Sequence, residues 1–160
     1  MPFGTPSQRV AQVADIVAAV RRQFADAGRP APRILLAGAR RQLLELAVAE
    51  ADTLALPFLL EVGEERLAAS IRELRAIAGT RFDGLELALS VLVVGDGEVP
   101  EAMRMLVRDV PRDAVSRLSG TPKEIADTLR RRRDQYGISY VTVAQPYIEQ
   151  FAPVIELLDE

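Results

Sequence analysis

Apolar residues along this chain change their spacing repeatedly, and the changes mark out its elements. Val10, Val13, Val17, Val20 and Phe24 recur at helical intervals and give a first helix one apolar face. Its start is well signalled. Thr5 supplies a cap, Pro6 stands where no backbone donor is missed, and Gln8 closes a capping box. Residues 1–5 read as loop, Gly28 ends the helix, and Arg29-Pro30-Ala31-Pro32 reads as a stiff extended connector.

The stretch 33–56 then runs through a complete unit. Ile34, Leu35 and Leu36 form a short apolar run, Ala37-Gly38-Ala39 a small-residue turn, and Arg40-Arg41 a basic pair. A leucine-rich helix comes next, expected to face the sheet with Leu43, Leu46, Ala47 and Ala51 and water with Glu45 and Glu50. After Asp52 comes a second strand, Leu54-Ala55-Leu56, which Pro57 stops. Strand, tight turn, helix and strand make a βαβ unit.

The alternation continues. Leu59 to Gly63 reads as loop, and 64–78 as a helix with Leu67, Ile71, Leu74 and Ile77 inward and Gly79 at its end. Leu85 to Val94 is the longest strand candidate, alternating at first and then continuously apolar, as in a strand covered on both faces. Asp96 to Pro100 is a turn before a short helix with Met103, Leu106 and Val107. Pro111 breaks that helix, and Arg112 to Leu118 is expected to make a further turn or two. Gly120-Thr121-Pro122-Lys123-Glu124 repeats the capping-box start, with Ile125, Ala126, Leu129 and Tyr136 inward and Gly137 as the stop. Ile138 to Ala144 is rich in β-branched residues. Pro146 to Leu158 closes the chain as a helix with Tyr147, Phe151, Ile155 and Leu158 inward. One helix followed by four strand-plus-helix units predicts an α/β fold with a parallel sheet and right-handed crossovers. The pattern alone leaves a barrel and an open flavodoxin-like sheet both available. The latter would call for a Ser/Thr-rich phosphate loop after its first strand. With no repeat and no linker, residues 1–160 read as a single domain.

Composition narrows the chemistry. The chain has 160 residues, 49% hydrophobic and 27% charged, enough to bury a real core. A net charge of -3 gives no general attraction to nucleic acid or anionic membrane. It contains neither cysteine nor histidine, which removes a thiol nucleophile, a disulfide framework, a Cys/His zinc site and a Ser-His-Asp triad. Acid–base chemistry would fall to carboxylates, lysine, tyrosine or a cofactor. The first residues lack the apolar core of a signal peptide and no apolar run reaches membrane-spanning length, so a soluble, cytoplasmic protein is expected.

The turn Ala37-Gly38-Ala39-Arg40-Arg41 is the best ligand candidate. Backbone N–H groups at a helix start, reinforced by guanidinium, suit a phosphate; the plainer reading is a strand-to-helix turn with two solvated arginines. Gly120 and Thr121 are second-line candidates, since capping accounts for them fully. The run Arg130 to Arg133 has no interleaved aromatics and acidic neighbours in Asp127 and Asp134, so it reads as a solvated outer face. Tyr136, Tyr140 and Tyr147 could donate protons, but packing is their ordinary role. Asp96 and Glu98 could bind a cation; a turn at Gly97 and Pro100 explains them better.

Two stretches carry a family likeness. ILLAGARRQLLELAVAEAD and LSGTPKEIADTLRRRRDQYGISYVTVAQPYIEQFAPVIELL, in this order, resemble the luciferase-like flavin- or deazaflavin-dependent oxidoreductases, most of all the group that uses coenzyme F₄₂₀. The matching features are the glycine-bearing turn with its leucine-rich helix and EAD, the GTP helix start at Gly120-Thr121-Pro122, and RRDQYGISYV before the last strand. The opening PFGTPSQRV and its helix resemble the segment after the family's fourth strand. The resemblance covers nearly the whole chain but only the family's C-terminal half. It implies the second half of a TIM-type (β/α)₈ barrel, strands five to eight with helices outside. A complete barrel takes about 250 residues. It further implies F₄₂₀ as cofactor with FMN as the alternative, a small-molecule substrate, and Ala37, Gly38, Ala39, Arg40, Arg41, Gly120 and Thr121 on the cofactor's phosphate side. AGAR is poorer in glycine than the family's turn, and the connectors at 28–32 and 59–63 are shorter than its loops. The family's catalytic residues lie largely in the half not represented here, so this chain is expected to turn over little alone. The competing expectation is a non-catalytic half-barrel that self-associates, two copies closing a pseudo-barrel.

Overall fold

The computed structural model describes residues 4–57, 62–108 and 110–159. The helix α1 spans Pro6–Asp26, and its Thr5–Gln8 capping box is formed on both sides. After it come β1 Leu35–Ala37, α2 Arg41–Glu50, β2 Thr53–Leu56, α3 Glu64–Ala78 and β3 Glu86–Val91. A short β4 Val93–Val94, a one-turn α4 Arg104–Val107 and β5 Arg117–Leu118 form an excursion. The chain ends with α5 Pro122–Tyr136, β6 Ile138–Val143 and α6 Ile148–Leu158.

The main sheet has four parallel strands in the order β1-β2-β3-β6, matching chain order. Strands added always on the same side by right-handed crossovers place their helices on one face of the sheet. The core agrees: Leu54 and Leu56 of β2 and Leu87 and Leu89 of β3 pack with Leu44 and Ala47 of α2 and Leu67, Ile71 and Leu74 of α3. The order contains no reversal, so the described strands lack the switch point of a doubly wound, flavodoxin-like sheet. The pleat sends the intervening residues to the other face. There Ala37, Ala55, Ala88 and Tyr140 stand in register across all four strands.

Several expected faces shift. In α2 the buried leucine is Leu44, while Leu43 and Leu46 are half-buried. Leu43 instead folds back over the preceding turn, its Cγ lying 2.8 Å from where a Cβ on Gly38 would stand. Only Val17 of α1 is fully buried, because that helix lies mainly against α2 and leaves Val10, Val13, Val20 and Phe24 partly covered. The expected single strand from Leu85 to Val94 is broken at Leu92. The Leu92 and Val93 N–H groups both donate to the Ser116 carbonyl, at 2.7 and 3.2 Å, which pulls the chain off the main sheet onto β5. Arg112 to Leu118 accordingly ends in a strand rather than in turns alone. Leu106 is 53% exposed because α4 lasts only one turn. A 3₁₀ turn at Gln145–Tyr147 changes the phase of the last helix, so Val154 is buried and Ile155 lies outside. The expected loop at 59–63 falls largely outside the described residues, as do residues 1–3.

The solvated face expected for Arg130 to Arg133 is wrong for Arg132. That side chain is 3% exposed, its Nε donating to Glu64 Oε1 at 2.8 Å and a terminal nitrogen to the Val115 carbonyl at 2.8 Å. It lies seven residues beyond Ile125 and three beyond Leu129, on the buried stripe, so helical periodicity alone marked it as inward. Arg130 donates to the Leu157 carbonyl, tying α5 to α6.

Candidate functional site

Parallel strands bring their C-terminal ends to one side, so the β1–α2 turn and the β4–β5 excursion share an end of the sheet. At the turn, α2 begins at Arg41 behind an N-cap, Arg40, that offers no side-chain acceptor. The Leu43 and Leu44 N–H groups both reach the Arg40 carbonyl, at 2.9 and 3.0 Å. The Arg41 and Gln42 N–H groups, the first two of the helix, have no partner among the described residues. These donors and the positive end of the helix face outward.

The two arginines differ. Arg41 Nε bonds Glu45 Oε1 at 2.9 Å along the helix surface. Arg40 makes no hydrogen bond or ion pair among the described residues. It lines a cleft of about 280 Å³ with Gly38, Ala39 and the first turns of α1. Ser7 Oγ, bonded to Gln42 Oε1 at 3.2 Å, pins the start of α1 against that of α2. Arg9, which also lines the cleft, donates to the Gly4 carbonyl at 2.9 Å. The turn therefore brings together Ala37, Gly38, Ala39, Arg40 and Arg41 as expected, with Arg40 alone presenting an uncommitted charge. The Leu43 side chain fills the space beside Gly38, so a side chain at 38 requires Leu43 to move.

Gly120 and Thr121 sit elsewhere and are already engaged. The Thr121 N–H and hydroxyl both donate to Glu124 Oε2 at 2.7 Å, and the Gly120 N–H donates to Asp96 Oδ2 at 2.8 Å. Hydrogen bonds from the Thr121 backbone and hydroxyl hold the Glu124 carboxyl below its usual range. Two carboxylates therefore occupy the start of α5. Asp96 serves as a turn tie, and Glu98 is exposed.

The tyrosines divide likewise. Tyr136 and Tyr147 are buried, and burial pushes both hydroxyls above the ordinary tyrosine value. Tyr140 is 44% exposed on the helix-free face. No pattern of residue types foretold that the Tyr147 hydroxyl, the Ser116 hydroxyl and Arg117 Nε would all be buried without hydrogen-bond partners. Of these, Tyr147 and Arg117 lie within electrostatic reach of one another. Among the described residues no group of three or more acidic side chains is placed to hold a metal, and no helix is long and apolar enough to cross a membrane.

No protein-family model and no curated protein matches the sequence. Solved structures do. EDTA monooxygenase from Chelativorans sp. BNC1 superposes with a TM-score of 0.55 at 15% identity, over 81% of this chain and 44% of that one. The long-chain alkane monooxygenase LadA gives 0.54 and 15%, over 81% of this chain and 41% of its own. DmoA from Hyphomicrobium sulfonivorans gives 0.51 and 15%, over 81% and 40%. The likeness is one of fold. The resemblance to luciferase-like monooxygenases thus holds in the backbone. The chain spans less than half the length of these structures.

Proposed function

We propose that this chain is the second half of a luciferase-like (β/α)₈ barrel, its four strands corresponding to strands five to eight, and that it supplies the phosphate-binding side of a flavin or deazaflavin oxidoreductase. One observation carries the reading: the α2 start leaves two backbone donors and the Arg40 guanidinium unspent beside a cleft. A phosphate monoester fits that donor set, since N–H groups at a helix start and a planar guanidinium both bond its oxygens. Arg40, with the Arg41 and Gln42 amides, would hold the cofactor's phosphate, and the small Ala39 leaves room for close approach. The Gly120–Thr121 start contributes only its cap. When bound, the isoalloxazine or deazaflavin ring supplies the redox chemistry, and the chain's share is to anchor and orient it. FMN carries such a phosphate monoester, and F₄₂₀ a phosphodiester whose two unesterified oxygens the same donors can bond.

Titration of the chain with FMN and with F₄₂₀, beside riboflavin as the analogue lacking phosphate, tests the reading. Arg40→Glu is expected to weaken FMN binding by roughly tenfold or more and to leave riboflavin unaffected. Equal affinity of the wild-type chain for FMN and riboflavin would overturn it.

A second reading rests on the helix-free face. Its central row is small and apolar, Ala37-Ala55-Ala88 ending at Tyr140, and Leu35 beside it is 50% exposed. Such a face favours self-association of two copies. A dilution series followed by sedimentation should then show dimer dissociating to monomer, and Ala55→Lys should leave monomer only.

A further inference from the structure

The excursion between β4 and β5 holds a second cleft, of about 490 Å³, whose lining opposes the character of the whole chain. The protein is net acidic at -3, yet Arg104, Arg108 and Arg117 line this cleft with Val99, Met105 and Val107, and no carboxylate does among the described residues. Its apolar lining is open to water at Met105, which is 95% exposed. The arginine at its base is poorly used. Among the described residues the Arg117 side chain reaches only the Val110 carbonyl, at 3.5 Å, while its Nε is buried with no partner. A guanidinium has five N–H donors, and a buried one left unspent marks a place where an acceptor is wanted. Arg104 is held by Glu101 at 2.7 Å, but with side chains 59% and 83% exposed that pair is easily exchanged.

We infer that this cleft binds a small anionic amphiphile, a molecule with a carboxylate or similar oxyanion on an aliphatic body. Its oxyanion bonds Arg117 and Arg104, and its body covers Val99, Met105 and Val107. The cleft has the size of a small-ligand site rather than of a protein interface. Arginine forks match oxyanions in paired hydrogen bonds, which sets the headgroup. The exposed methionine provides an adaptable apolar wall. The site lies away from the β1–α2 turn and does not depend on the cofactor reading.

Calorimetric titration of the intact chain with octanoate, octanol and octyltrimethylammonium tests it without any flavin. Octanoate is expected to bind most tightly, the cation not at all. Arg117→Gln and Arg104→Gln should each weaken octanoate binding by roughly tenfold. Met105→Asp, a change at an exposed position that leaves folding intact, should abolish it. Octanol binding as tightly as octanoate, or octanoate affinity unchanged in both Arg104→Gln and Met105→Asp, would refute the inference. Binding to phosphatidylglycerol vesicles without binding of monomeric octanoate would refute it too.

Discussion

Two of the helices that begin at the C-terminal side of this sheet, α2 and α5, begin in opposite ways. At α5 the donors of Gly120, Thr121 and Glu124 are spent within the chain: Thr121 and Glu124 satisfy one another, and Asp96 takes the Gly120 N–H. At α2 the N-cap is an arginine, which can accept nothing, so the first amides stay open and a positive charge stands beside them. A capped start is stable and inert toward anions. An uncapped one gives up about 1 kcal/mol of helix stability and keeps a place for an anion. The difference separates a self-satisfied helix start from the one proposed to hold a phosphate, and each side of it can be broken by substitution.

The largest effect is expected at Gly38. A methyl added there would overlap Leu43 Cδ2 and lie 2.8 Å from its Cγ. Leu43 would have to swing off the turn it covers, so Gly38→Ala should destabilise the protein by about 1–3 kcal/mol. Chemical denaturation of Gly38→Ala, Leu43→Ala and the double variant would measure this. The double variant should lose clearly less than the sum of the singles, because the overlap exists only when both side chains are present. Additive losses would mean that Gly38 is needed for something other than Leu43.

Reciprocal changes at the two caps come next. Thr121→Ala removes the acceptor for the Glu124 N–H and should cost about 1 kcal/mol, with no effect on flavin affinity. Arg40→Ser should do the reverse. Arg40 already has the extended conformation of an N-cap, at φ -84° and ψ 140°, so a serine hydroxyl there can bond the open amides. The expected result is about 0.5–1 kcal/mol of added stability together with weakened FMN binding. Thermal melts and the FMN titration read both at once. If Arg40→Ser stabilises without touching FMN affinity, the α2 start is an unfinished cap and nothing more.

The caps also show why some of the molecule was legible in the sequence and some not. Thr5-Pro6-Ser7-Gln8 and Thr121-Pro122-Lys123-Glu124 are local chemistry, complete within four residues, and both form as read. Four parallel strands came from alternation, which the sheet satisfies, whereas their sequential order was implied by the family resemblance and not by the pattern. The break at Leu92 could not be read, since it depends on the Ser116 carbonyl, distant in sequence. Nor could the assignment of Arg41 to Glu45 and of Arg40 to the cleft be read from the basic pair alone. It depends on where the helix starts, which is a matter of one residue. Arg132 is the instructive error. Its position in the helical period pointed inward and its charge pointed outward, and Glu64 with the Val115 carbonyl decided for the former.

The smallest expected effect is one of pH, and it separates the two helix starts without removing either. Because Thr121 holds the folded Glu124 carboxyl below its unfolded value of about 4.5, ionised Glu124 stabilises the native state. That stabilisation is fully present above the unfolded value and is lost as pH falls through the lower folded one. The start of α2 has no carboxylate in its cap, and no comparable step belongs to it. Melting temperatures of the wild type, Glu124→Gln and Arg40→Gln, taken from neutral pH into acid, should therefore behave differently. The gap between wild type and Glu124→Gln should be constant near neutrality and close below about 4.5, while the gap to Arg40→Gln shows no such acid step. Were the Glu124→Gln gap to persist unchanged into strong acid, the ionised carboxylate would not be what completes the α5 cap. The contrast between the closed and the open start would then rest on the Thr121 hydroxyl alone.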